Sequence, residues 1–147
     1  MRLKNFPIYL EKIKKWCKAS GVHIRSKKSL PCEGVYYPHN KTIAYSEELS
    51  ESEIISCLLH EIGHLLDDYT NKDKYSHIHF VQGIDNIQAV KRLTKRQKKK
   101  VVDTEVSAWK NAEALAKILK IPLGKWYYKD KKEALKSYTD IEVRPYK

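Results

Sequence analysis

A chain of 147 residues has room for one domain with its own core, spanning 1–147, and too little for two of ordinary size. With 41% hydrophobic residues it should fold, and its lysine-studded N-terminus has no apolar run that reads as a signal peptide or a membrane span. The formal net charge of +11 suits solvated helix faces, or an acidic partner such as nucleic acid or a protein bound to it.

Residues from about Phe6 to Ser20 predict an amphipathic helix. Ile8, Tyr9, Ile13, Trp16 and Cys17 line one side, lysines cover much of the rest, and Gly21 stands at the C-cap. Val22-His23-Ile24-Arg25 alternates in the manner of a short strand. Gly34-Val35-Tyr36-Tyr37 and Thr42-Ile43-Ala44-Tyr45 are β-prone runs around Pro38-His39-Asn40-Lys41, the pattern of a hairpin. A small antiparallel sheet is expected, whose outer strand could pair with an extended peptide. Cys17, Cys32 and Cys57 are odd in number and form no C-x-x-C pair, which argues against a disulfide scaffold and for the reducing cytoplasm.

The next stretch carries the chemistry. Ser50 and Glu53 can form a capping box that starts a helix. Ile54, Leu58, Ile62 and Leu65, with Ile55, Leu59 and Leu66, make that helix strongly apolar. Within it lies His60-Glu61-Ile62-Gly63-His64, an H-E-x-x-H motif. Residues four apart share a helix face, so His60 and His64 can present two imidazoles to one metal ion. Glu61 is rotated by about 100° and can act on a water at that ion. Histidines and a glutamate cost free energy in an apolar helix unless they are paired or metal-bound. The motif therefore points to one Zn2+ per chain, held by His60, His64 and a third ligand, with a position left open for water.

From Asp67 to Gly83 the sequence is polar and poorly periodic, and reads as a loop holding His77 and His79. Ile84, Ile87, Val90 and Leu93 suggest a further short helix, and the basic run Lys95–Lys100 a solvated face or turn. Helical spacing returns from about Val101 to Leu119 and ends at Ile121-Pro122. A last helix is expected from about Lys129 to Tyr138, with Trp126, Tyr127 and Tyr128 as packing residues.

The H-E-x-x-H-x-x-G-x-x-H form is excluded, because Asp67 and Thr70 stand where a glycine and a histidine are required. The other route to a third ligand is a glutamate from a later helix. Glu105 is the best candidate, on one stripe with Ala108 and Ala112, whose small side chains allow close approach. Its competitors are His77, His79 and Glu113. For oxyanion stabilisation Tyr69, Tyr75, His77 and His79 are open alternatives. Asp67 either orients a ligand imidazole by a hydrogen bond from behind it or is a surface residue at the helix end.

With the hairpin, the HEIGH segment and Glu105-Val106-Ser107-Ala108-Trp109 opening an alanine-rich helix, the chain resembles the ImmA/IrrE-type and related phage-encoded zinc metallopeptidases over roughly residues 34–121. The resemblance implies an α+β, minimal thermolysin-like zincin fold, one zinc, and hydrolysis of a protein substrate, in some members a transcriptional repressor. It implies His60, His64 and Glu105 as ligands and Glu61 as the base. The gap between His64 and Glu105 is long for that family, and no extra DNA-binding or sensor segment is apparent. A second resemblance is to SprT-like proteases acting on DNA-associated proteins, with His77 as the third ligand. The reading of another class is a non-catalytic basic module that binds nucleic acid or protein.

Overall fold

The computed structural model describes residues 2–28, 30, 33–70 and 94–140. Among them the order of elements is α1 (Phe6–Ala19), β1 (His23–Lys27), β2 (Gly34–Tyr37), a 3-10 turn (Pro38–Asn40), β3 (Thr42–Ser46), α2 (Glu51–Thr70), α3 (Lys95–Leu119) and α4 (Lys125–Thr139). The class is α+β. No described helix is long and apolar enough to cross a membrane.

The sheet is mixed, not wholly antiparallel as its sequence suggests. β3 lies in the middle, antiparallel to β2 and parallel to β1. The hairpin is present, with Val35 opposite Ala44 and Tyr36 opposite Ile43. Burial explains the order. In β3, Thr42, Ile43, Ala44 and Ser46 are buried, which suits a strand covered on both faces and both edges. β1 is mostly exposed and takes an edge. Gly21 adopts φ +72° after α1, a left-handed turn that a side chain would strain.

α2 is the hub of the fold: α1, β2, β3, α3 and α4 all pack against it. It starts with the expected capping box, since Glu53 N–H donates to Ser50 Oγ and Ser50 N–H to Glu53 Oε1. Ile55, Leu58, Leu59, Ile62 and Leu65 are essentially inaccessible, each worth about 2 kcal/mol of burial. The helix runs on to Thr70, so Asp67 is helical rather than in a loop. Asp67 pairs back toward α3, which gives the extra turn a partner.

α3 starts earlier than its apolar periodicity indicates. Thr94 caps it reciprocally with Gln97, so Lys95–Lys100 form its first turns rather than a separate turn. Lysine and arginine are good helix formers, and a solvated first turn needs no apolar stripe. α4 likewise begins at Lys125, ahead of the expected start. Of the three aromatics there, Tyr127 is fully buried, Trp126 packs partly buried on the core, and Tyr128 is half exposed. The proposed helix around Ile84–Leu93, together with Tyr75, His77, His79 and Cys32, lies outside the described residues.

Candidate metal centre

The centre is built where α2 and α3 cross. Gly63 lets them meet: a Cβ there would overlap the backbone of Ala108, sitting 2.7 Å from its carbonyl carbon. Asn111 reinforces the approach by donating to the Gly63 carbonyl at 3.1 Å and to Asp67 Oδ1 at 2.9 Å. Ser107 adds a third bond, to Asp67 Oδ1 at 2.8 Å. Asp67 is buried and ties the two helices together. Among the described residues it is bonded to Ser107 and Asn111 rather than to an imidazole, so it is neither a surface residue at the helix end nor a group that orients His60.

This crossing brings Glu105, from the middle of α3, against the two motif histidines. His60 Nε2 lies 3.1 Å from Glu105 Oε1, and His64 Nε2 lies 2.8 Å from Glu105 Oε2. Ligand atoms of the three residues fall within 4.8 Å of one another, and the group could hold a metal ion. Both nitrogens that face the glutamate are Nε2. His60 Nδ1 is engaged separately, 3.0 Å from Glu61 Oε2. An Nδ1–H donated to Glu61 would leave the Nε2 lone pair for a cation, the usual way an outer partner fixes a ligand tautomer.

The electrostatics agree with that donor set. Burial works against a charge on His60, but the Glu105 carboxylate, helped by Glu61, overrides it and pushes the imidazole up to about 10. His64 is raised in the same way, with burial opposing and Glu105 prevailing. Burial would also raise Glu105, yet the two imidazoles hold it well below the ordinary carboxylate range. In the metal-free protein, protons on the histidines supply the positive charge that a buried carboxylate needs. Two imidazole nitrogens and one carboxylate oxygen fit a borderline divalent cation, and the binding of one would displace those protons.

Trp109, one turn beyond Glu105, stacks on His60 with ring centroids 4.4 Å apart and planes 20° apart. The His60 and His64 rings meet edge to face at 4.6 Å. From sequence Trp109 had no role at the site; its spacing of four from Glu105 was the signal that it shares the site's face. Glu113, the other candidate glutamate, is elsewhere, accepting from Tyr127 Oη at 3.0 Å and Lys131 Nζ at 2.8 Å.

No family model, curated protein or solved structure matches this chain. The functional reading therefore rests on the centre itself.

A cleft of about 390 Å³ opens beside His60, Glu61, Glu105 and Trp109, and is walled further by Gly34, Ser56, Cys57 and residues of α4. Gly34 allows a close approach there: a Cβ would strike Cys57 Sγ and crowd the Ala44 carbonyl oxygen at 3.3 Å. β2 thus lies close over α2 at the mouth of the site. Glu61, His64 and Glu105 are themselves buried. The arrangement is a polar cluster set in an apolar core beside that cleft.

Proposed function

We propose that this chain is a zinc-dependent peptidase. The observation that carries the reading is the pair of contacts from Glu105 to His60 Nε2 and His64 Nε2, made across a helix crossing and next to a cleft. His60, His64 and Glu105 would hold the ion, as the resemblance to ImmA/IrrE-type metallopeptidases implies. Three protein ligands beside an open cleft suit a catalytic site better than a structural one, which closes all four positions with protein. Zinc bound there supplies Lewis acidity toward a water molecule and a scissile carbonyl.

The chain's own groups divide the remaining work. Glu61 takes the proton of the attacking water and delivers it to the leaving amine. Its carboxylate also accepts from His60 Nδ1, which sets that imidazole's orientation. Trp109 fixes the other face of the ring by stacking. The buried surroundings strengthen each of these interactions, since charges act over a lower dielectric there than in water. Glu105 at the third position favours this reading over a SprT-like one, in which a histidine follows the motif.

The test uses purified full-length protein. It should take up one zinc per chain and degrade an unfolded protein such as casein, and chelation should stop the reaction. Glu61→Gln should retain the zinc and lose turnover by at least about 100-fold. Stoichiometric zinc with wild-type cleavage no faster than in Glu61→Gln would end the peptidase reading.

A further inference from the structure

The cleft differs in charge from the rest of the chain. The molecule carries a net +11, yet apart from His60 of the metal centre the acidic and basic side chains that line the cleft among the described residues are the carboxylates of Glu33, Glu53, Glu61, Glu105, Asp130 and Glu133. No described lysine or arginine lines it. Glu33, Glu53, Asp130 and Glu133 stand outside the metal cluster and come from the approach to β2, the start of α2, and α4. They do not make a second metal site, since among the described residues only His60, His64 and Glu105 gather ligand atoms closely enough. Their charge is spread along a wall, which suits an extended organic cation better than a bare ion.

These carboxylates feel one another. Burial, then Glu53, Asp130 and Glu133, raise the Glu33 carboxyl above its ordinary value. Burial also raises Asp130, against the hydrogen bond from Ser56 and with further repulsion from Glu53 and Glu133; Lys129 offsets part of this. The Ser56 bond, 2.8 Å to Asp130 Oδ2, holds that carboxylate in place on the cleft wall.

A second observation at the same cleft points to a ligand. Trp109 is buried in the cleft wall, and its indole Nε1–H has no hydrogen-bond acceptor among the described residues. A buried donor left unpaired costs about 1–3 kcal/mol, which a carbonyl oxygen brought by a ligand would relieve. Among the described residues, then, no lysine or arginine faces these four carboxylates and no acceptor meets the Trp109 N–H, and a basic amino-acid residue in a peptide would bring both a cation and a carbonyl.

We propose that the cleft selects peptides by a lysine or arginine side chain, received by Asp130, Glu133, Glu33 and Glu53, with a peptide carbonyl on Trp109 Nε1–H. The proposal rests on the peptidase reading and names its substrate class. It is tested on the zinc-loaded full chain with two zinc-binding probes, Nα-acetyl-lysine hydroxamate and Nα-acetyl-norleucine hydroxamate. The lysine probe should bind about tenfold tighter, with a margin that shrinks at high salt. Glu133 is exposed, so Glu133→Gln and Glu133→Lys leave packing alone; they should reduce and abolish the margin. Asp130→Asn, which keeps an acceptor for Ser56, should reduce it too. Equal binding of the two probes to zinc-loaded protein overturns this inference and leaves the metal centre standing. Unacetylated norleucine hydroxamate binding as tightly as the acetyl-lysine probe would also overturn it, by assigning the wall to an N-terminal amine. A margin without cleavage of any protein supports the cationic wall and removes the peptidase reading. A chain that takes up no zinc removes both.

Discussion

Gly63 and Ala108 meet backbone against backbone: a Cβ on Gly63 would lie 3.0 Å from Ala108 Cα and inside the space of its carbonyl. This contact sets the distance between the helix that carries the two histidines and the helix that carries Glu105. Gly63→Ala should therefore force α2 and α3 apart, costing about 1–3 kcal/mol. Zinc affinity should fall with stability, although no ligand has been changed. Denaturant unfolding beside a zinc titration checks both, and wild-type values for the two would show that the crossing is looser than described.

Glu105→Ala removes the carboxylate that both imidazoles face. Zinc affinity should drop by more than about 100-fold, beyond the usual effect of losing an outer-shell partner. The same change to Glu113, whose partners are Tyr127 and Lys131, should leave zinc content unaltered. Metal analysis of the two variants side by side separates the two glutamates.

Acid should weaken metal binding. His60 and His64 hold protons above their ordinary range in the metal-free state, so a cation has to displace them. Affinity should rise with pH, by up to about tenfold per unit for each proton released. Calorimetry in buffers of different ionisation enthalpy counts those protons, and a count of zero would contradict the ion pairing described here.

The stability of the chelated protein should run the other way. His60 in the folded chain is raised to about 10 from an ordinary 6.5. A raised imidazole contributes stability that is complete below its unfolded value and is lost as pH climbs toward the folded one. The metal-free protein should thus lose stability between about pH 6.5 and 10. Glu105, held low, contributes above its unfolded value and loses that contribution only in acid. Urea midpoints across this range in the presence of chelator give the slope, and a rising midpoint above neutrality would contradict it.

Asp67→Ala should destabilise the fold by roughly 1–3 kcal/mol, because Ser107 Oγ and Asn111 Nδ2 both donate to the lost carboxylate. Zinc affinity of the folded fraction should change less than in Glu105→Ala. A larger loss of affinity than of stability would instead assign Asp67 to orienting a ligand.

Sequence alone was enough to set out what lies within a turn or two of helix or one hairpin. The spacing of His60 and His64, the Ser50–Glu53 cap and the β2–β3 pair are local patterns, and local periodicity determines them. Glu105 was legible by a different route, as a carboxylate among small residues on an otherwise apolar stripe. The packing of distant segments decided the rest. His60 and Glu105 are 45 residues apart, and only the close crossing at Gly63 brings them into contact. β1 joins β3 in parallel because β3 has the apolar sequence to occupy the centre, a choice that pairing preference within the hairpin does not reveal. Glu53 reads along the chain as the partner of a helix cap, and Glu33, Asp130 and Glu133 stand in no motif; a wall of one sign arises only when three separate segments fold around the same cleft.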